Sequence, residues 1–168
     1  MPYVDHFRHA DDVIAHLNTI VPTLPDPLLR TKYAGFVTVA AVTVYELAIK
    51  AIFCEFGRRK HKVLGAFSES YFKRINGRVT LDDIRKDYCQ RYGDNYVTKF
   101  KFRLEATSKT HLAAHRRDVK SSYSNLIVWR NAFAHEGTVP ATVTYREVVQ
   151  AYQDGKEVIH SLAASMVR

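Results

Sequence analysis

The sequence has few of the residues that mark cross-linked or metal-stabilised proteins. It contains two cysteines in 168 residues, Cys54 and Cys89, with no Cys-x-x-Cys spacing, which argues against a zinc knuckle and against a redox motif. Cysteine usage of this kind fits a reducing compartment, so we expect a cytoplasmic protein. A chain of this length buries about 70% of its unfolded surface without such cross-links. We therefore expect residues 1–168 to form a single domain.

The sequence also lacks the marks of export, of repeats and of low complexity. Residues 1–30 carry acids, histidines and prolines instead of a basic segment followed by an apolar one, so we expect no signal peptide. The most apolar stretch, residues 28–56, contains Glu46 and Lys50, which interrupt it before about 20 apolar residues accumulate. We interpret it as a buried helix and expect no membrane partner.

Acidic residues are too few to balance the basic ones. The chain has 25 Lys and Arg against 17 Asp and Glu, for a formal net charge of +8 and an isoelectric point near 9.5. This excess favours a polyanion partner, with nucleic acid ahead of an anionic membrane. A soluble basic protein without a polyanion ligand remains the alternative.

What the sequence has in quantity is helical periodicity, which predicts an all-α, single-domain helical bundle. The long apolar second helix forms its core, and glycine, proline and capping residues set the helix ends. The last helix begins at a capping box, Thr144-x-x-Glu147, and we expect Asp154-Gly155 to fray or kink it. The predicted helices span residues 5–20, 28–56 (ended by Gly57), 61–75, 80–92, 95–105, 108–134 and 144–168.

One compact polar constellation stands at the end of the penultimate long helix, in the stretch from Trp129 to Gly137. It holds the single Arg-x4-His pair of the chain, Arg130 and His135. About 0.7 such pairs are expected by chance at this composition, so the pair alone is weak evidence. Trp129 and Phe133 are predicted to be core residues.

Helical geometry separates the pair. Five positions turn a helix by roughly 500°, so Arg130 and His135 point about 140° apart, while Asn131 and His135 share a face. Because His135 lies at the helix end, its ring can turn away from the core, and the arrangement suits a phosphate site better than a metal site. A histidine that merely favours the helix dipole is the structural alternative.

These residue types can cleave RNA. A histidine can take the proton from a 2′-OH, a guanidinium can stabilise charge on the phosphorane oxygens, and an amide can orient a phosphate oxygen or the histidine ring. One chain supplies a single such histidine, however, and the 5′-oxygen leaving group also needs a proton. A two-fold dimer with facing motif helices would supply the second set.

The stretch Arg130-Asn131-x-x-Ala134-His135 resembles the signature of the HEPN superfamily, an Arg-x4–6-His motif on a helical bundle. The wider pattern is similar to the RiboL-PSP-HEPN subfamily. That pattern comprises Glu46 in a long apolar second helix, Arg74-Ile75-Asn76-Gly77, Leu81-Asp82-Asp83-Ile84 and Trp129 before the motif.

The resemblance implies dimerisation around the motif and metal-independent, cofactor-free RNA cleavage that leaves a 2′,3′-cyclic phosphate. Arg130, Asn131 and His135 would be catalytic. We expect a toxin or antiviral defence effector restrained by an antitoxin or a sensor protein. The alternative is a non-catalytic HEPN-like module for RNA binding or assembly.

Glu46 is a carboxylate in a buried helix and must find a partner. One possible partner is Lys50, four residues further along the helix. The other is Arg130 or His135, which is slightly favoured because the family has a recurring acid on this helix. In that case Glu46 would support catalysis.

His111 and His115 have zinc-compatible spacing but no third ligand, so we expect no metal there and a solvated face instead. Basic residues would track a phosphate backbone if they line the motif's cleft, and would otherwise be solvated. The candidates for RNA binding are Arg58, Arg59, Lys109, Arg116, Arg117 and Lys120.

Overall fold

The computed structural model describes residues 2–167, which form an all-α bundle with no strand among them. The prediction of an all-α fold built on a long second helix is confirmed. The first helix begins slightly later than predicted, after a 3-10 turn at Tyr3–His6. The α-helices are α1 (Phe7–Ile20), α2 (Pro27–Lys60), α3 (Lys62–Phe72), α4 (Asp94–His115), α5 (Val119–Glu136) and α6 (Tyr145–Ser165).

Helix α2 is the centre of the bundle and contacts α1, α3, α5 and α6. Its Tyr45 ring stacks between Tyr123 of α5 and Tyr152 of α6, at centroid distances of 5.2 and 5.8 Å. All three rings are fully buried. Because α5 and α6 dock on one aromatic column, the beginning of α5 is held against α2.

The predicted end of the second helix at Gly57 is wrong, since α2 continues to Lys60. Gly57 is buried, and a Cβ built on it would lie 2.5 Å from the Ser68 Oγ. The glycine therefore allows α3 to approach α2 closely. Helix α3 is shorter than predicted and begins after His61, whose Nδ1 accepts the Val63 N–H.

The predicted kink at Asp154-Gly155 is also wrong, because α6 is continuous through both residues. A Cβ on Gly155 would lie 2.5 Å from the Tyr45 hydroxyl oxygen, so this glycine too serves a close approach. The predicted capping box is confirmed: the Thr144 side chain accepts the Glu147 N–H, and the Glu147 carboxylate accepts the Thr144 N–H.

The largest difference from the sequence prediction lies between α4 and α5. Residues 95–105 and 108–134 were predicted as a short and a long helix, whereas the break comes at Arg116 in a left-handed conformation, with φ +56°. Asp118 then caps α5 by accepting the Ser121 N–H. No glycine or proline lies between residues 105 and 136, so the sequence carries no strong end signal at the break.

The predicted helix over residues 80–92 begins as expected, since Thr80 and Asp83 exchange side chain-to-backbone hydrogen bonds. It is not a regular α-helix, however. A π-helical segment, Asp83–Tyr88, is followed by a 3-10 turn, Cys89–Tyr92, which ends at Gly93 with φ +110°.

Helix α2 is long and apolar enough to cross a membrane by length and composition alone. Within the bundle, 56% of its most apolar 18-residue stretch is buried. This burial is what the core helix of a helical bundle shows.

Candidate active site on helix α5

The polar motif lies on the last two turns of α5, as predicted. The helix ends at Gly137, whose φ of +72° is the left-handed conformation of a helix C-cap and whose N–H donates to the Phe133 carbonyl. Phe133 packs edge-on against Phe36 of α2, with ring centroids 5.3 Å apart. Trp129 and Phe133 are half-buried against the core, in agreement with the prediction.

Arg130 points inward to the turn that follows α3. Its Nη2 donates to the Gly77 carbonyl at 3.1 Å, and its Nε is buried with no hydrogen-bond partner among the described residues. Gly77 has φ +73°, and a Cβ built there would lie 3.3 Å from Arg130 Nη2. A glycine at this position therefore allows the guanidinium to approach the backbone.

Glu46 of α2 also binds the backbone of Gly77. Its Oε2 accepts the Gly77 N–H at 2.6 Å, and its Oε1 pairs with Lys50 Nζ at 2.6 Å. Of the two partners considered from the sequence, Lys50 is observed. Among the described residues Glu46 makes no ion pair with Arg130 or His135, and its connection to Arg130 runs through Gly77.

Asn131 and His135 face outward. Both are exposed, and neither side chain forms a hydrogen bond within the described part of the chain. They share a stripe of α5 with Val128, which is 59% exposed, at positions i, i+3 and i+7. The structure thus separates the motif into a fixed arginine and two outward-facing groups, as the roughly 140° separation predicts.

Exposed apolar side chains also lie on α2, which contacts the motif through Phe36 and Phe133. Phe36, which touches Phe133, is 55% exposed, and Leu29 and Val39 of α2 are 40% and 37% exposed. Several exposed apolar side chains near a polar site are typical of an interface.

The structure does not bring the predicted basic residues to the motif. Lys120 lies at the opposite end of α5, about 22 Å from His135 along the helix, and Arg116 and Arg117 lie in the turn that precedes α5. Lys109 lies on α4, and Arg58 and Arg59 lie in the last turn of α2.

Most of these basic side chains already have acidic partners, at distances of 2.6–3.0 Å. The pairs are Arg58–Glu69, Arg59–Glu55, Arg117–Asp154 and Lys120–Glu105.

The solvated face predicted for His111 is wrong. His111 Nε2 lies 3.0 Å from the carboxylate of Asp154, which is 2% exposed and also accepts from Arg117, Ser122 and Gln150. Burial raises the pKa of Asp154, but the hydrogen bonds from Arg117 and His111 outweigh it and hold the pKa below its ordinary value. Among the described residues no group of three or more His, Cys, Asp or Glu could hold a metal ion.

The sequence did not reveal that Gly77 joins Glu46 to Arg130. The Asn76-Gly77 dipeptide indicates a turn with positive φ. It carries no information about a partner 53 positions away.

An all-α bundle with an Arg-x4-His motif at the end of its penultimate helix is the arrangement of a HEPN domain. The chain belongs to the RiboL-PSP-HEPN family, whose model matches residues 5–167. HEPN domains are generally ribonucleases or RNA-binding domains. No curated protein and no solved structure matches the chain.

Proposed function

We propose that this protein is a metal-independent endoribonuclease whose site is built from Arg130, Asn131 and His135. The proposal rests on one observation, that the motif has an inward-pointing arginine and two outward-facing side chains. Arg130 is fixed at Gly77 with its Nε buried and unpartnered, while Asn131 and His135 face outward from one helix face. A cation held in place on the same helix end as an exposed histidine suits a reaction in which charge develops on a phosphate.

In the proposed reaction, His135 takes the proton from a ribose 2′-OH, and the 2′-oxygen attacks the adjacent phosphorus. The bond to the 5′-oxygen breaks, that oxygen receives a proton from a general acid, and a 2′,3′-cyclic phosphate remains. Arg130 stabilises the charge on the non-bridging oxygens, and Asn131 orients the phosphate or the imidazole. Glu46 supports the site by fixing Gly77, to which Arg130 binds.

The general acid comes from a second copy of the chain in this proposal. The outward stripe of Val128, Asn131 and His135 and the exposed apolar side chains of α2 would face their symmetry mates across a two-fold axis. Two histidines would then meet at one phosphate, one acting as base and the other as acid.

The test is cleavage of single-stranded RNA in EDTA by the wild type and by His135→Ala, Arg130→Ala and Arg130→Lys. We expect His135→Ala to lower the rate by about 10²–10⁴-fold, the typical contribution of a general base. Arg130→Lys should lose most of the activity as well, because an ammonium lacks the paired donors of a guanidinium. Mass spectrometry should show 2′,3′-cyclic phosphate ends.

His115→Ala is the matched control, since His115 is also exposed near a helix end but lies on α4. An inactive wild type, or motif variants that cleave as fast as this control, would contradict the enzyme proposal. Loss of activity in EDTA would point to metal-dependent chemistry.

A second candidate function is a non-catalytic module for RNA binding or assembly. The observation that favours it is the bond from Arg130 Nη2 to Gly77, which gives the arginine a structural role. This function predicts RNA binding or dimerisation without cleavage, so the same assay separates the two.

We further propose a toxin or antiviral defence effector, restrained in the cytoplasm by an antitoxin or sensor protein. Uncontrolled RNA cleavage harms a cell, so such an enzyme needs a restraint. Induced expression of the wild type should arrest growth, and His135→Ala should not. Equal arrest by both would contradict the proposal.

A further inference from the structure

A groove lies on α3 and on the turn that follows it, the turn in which Gly77 accepts a hydrogen bond from Arg130. Its volume is about 430 Å³, and two of its lining residues are arginines while none is a carboxylate. The lining residues are Phe67, Ser70, Tyr71, Arg74, Ile75 and Arg78.

The groove carries an exposed aromatic platform. Phe67 is 52% exposed, and its ring lies nearly parallel to Tyr71, with an interplanar angle of 11° and centroids 6.3 Å apart. The Arg91 guanidinium lies 4.2 Å from the Tyr71 ring centroid. Scattered exposed apolar residues are common, but a paired ring bordered by arginines provides a stacking surface for a nucleobase.

Positive charge accompanies the platform. Arg74 is exposed and forms no ion pair within residues 2–167. Arg78 pairs with Asp83 and Asp87 but keeps 62% of its side chain exposed. Arg74 therefore has a guanidinium available for a phosphate oxygen in the same groove as the rings.

The groove and the motif share one segment of chain. Gly77, which binds Arg130, lies between the lining residues Ile75 and Arg78. The Cα atoms of Arg74 and Gly77 are at most about 11 Å apart, because three residues separate them. That span equals about three nucleotides of a stacked strand at about 3.4 Å each.

We propose that this groove binds a single-stranded segment of the RNA substrate next to the scissile phosphate, an inference that rests on the proposed function. A base stacks on Phe67, the neighbouring phosphate binds Arg74, and the strand continues past Gly77 to Arg130 and His135. The groove thus takes the role that the sequence assigned to basic residues on α2, on α4 and at the start of α5.

The test measures RNA binding by fluorescence anisotropy in a His135→Ala background, which prevents cleavage. Phe67→Ala should raise the dissociation constant for single-stranded RNA by about 5- to 150-fold, the effect of losing one base stack. It should not affect an abasic oligonucleotide of equal length, whereas Phe67→Tyr should retain binding. Arg74→Ala should weaken binding of both the RNA and the abasic oligonucleotide. It should also reduce the slope of log binding constant against log salt concentration by about 0.7.

The matched control is Phe102→Ala/Arg103→Ala, an exposed phenylalanine and arginine on α4 that lie outside the groove. The proposal is overturned if the background protein does not bind RNA, or if the groove variants bind as tightly as it does. An equal loss of binding in the control variant overturns it too. The proposal is also overturned if a decapeptide of glutamate displaces the RNA and if that displacement depends on Phe67 and Arg74, because the groove would then bind an acidic peptide.

The two proposals fail in different ways. If the wild type binds RNA through Phe67 but cleaves none, the nuclease proposal fails and the groove proposal stands. If the wild type cleaves RNA in EDTA but Phe67→Ala and Arg74→Ala change neither RNA binding nor KM, the groove proposal fails and the nuclease proposal stands.

Discussion

Gly77 joins residues that are far apart in the sequence. Its N–H binds Glu46 of α2, its carbonyl binds Arg130 of α5, and its φ of +73° disfavours any side chain. A side chain here would strain the backbone and would also displace the arginine. Asn131 and His135 were predictable as an outward pair from spacing, but the position of Arg130 depends on this turn.

We predict that Gly77→Ala lowers kcat/KM for RNA cleavage by at least about tenfold, because misplacing a catalytic group by a fraction of an ångström slows the reaction. Its cost to the free energy of unfolding should be only about 1 kcal/mol, from the left-handed backbone. Cleavage kinetics and urea unfolding measure the two effects.

Gly93→Ala is the control, since Gly93 also has positive φ but a Cβ there meets nothing within 4 Å. It should lose stability and keep its activity well below its melting temperature. Equal losses of activity in both variants would show that Gly77 acts through stability alone.

At the scale of the helices, Asp154 joins three elements. It belongs to α6 and accepts hydrogen bonds from His111 of α4, from Arg117 in the following turn and from Ser122 of α5. This contact fixes the reversal between α4 and α5. Periodicity located both helices, whereas the position of the break depended on a left-handed Arg116 and on the Asp118 cap.

We predict that Asp154→Asn lowers the free energy of unfolding by about 3 kcal/mol, since it leaves buried donors without a charged acceptor. The estimate is at the low end of the range for buried ion pairs because Arg117 is 40% exposed. Denaturant unfolding at pH 7 measures it. Gln150→Ala, which removes one neutral donor to the same carboxylate, should cost about 1 kcal/mol.

The same variant has a predictable dependence on pH. The folded pKa of Asp154 lies below its unfolded value of about 3.9, so its contribution is present above that pH and is lost as the pH falls through the folded pKa. The difference in stability between wild type and Asp154→Asn should therefore narrow below about pH 4. A constant difference down to pH 2 would contradict this linkage.

At the scale of the whole molecule, the exposed apolar surface of α2 beside the motif is the feature that the bundle itself does not explain. Phe36 is 55% exposed although it lies in the most apolar helix of the chain, and it packs against Phe133 within the motif. A second copy covering this surface would bring a second His135 to the site.

We predict that Phe36→Glu raises the dissociation constant of the dimer at least about 100-fold, because association would bury two unpaired carboxylates. Cleavage activity should fall in parallel and recover at high protein concentration. Sedimentation velocity measures the oligomeric state. Phe102→Glu, at a 74% exposed position on α4, should remain dimeric, and a wild type that is monomeric at micromolar concentrations would exclude the two-fold site.

Periodicity and end signals by themselves determined the all-α class, the dominant second helix and the position of Arg130, Asn131 and His135 at the end of α5. These features depend on local spacing and on capping residues such as Gly137 and Thr144, which can be recognised from the sequence. They were enough to recognise the family.

Only the tertiary structure showed that two of the glycines admit a neighbouring side chain instead of ending a helix. Gly137 ends α5, whereas Gly57 and Gly155 lie inside continuous helices, where the absence of a side chain lets Ser68 and Tyr45 approach. It also decided that Glu46 reaches Arg130 through Gly77, and that Phe67 and Arg74 line one groove. These contacts join residues tens of positions apart, and helical periodicity records only which face a residue occupies, not what packs against it.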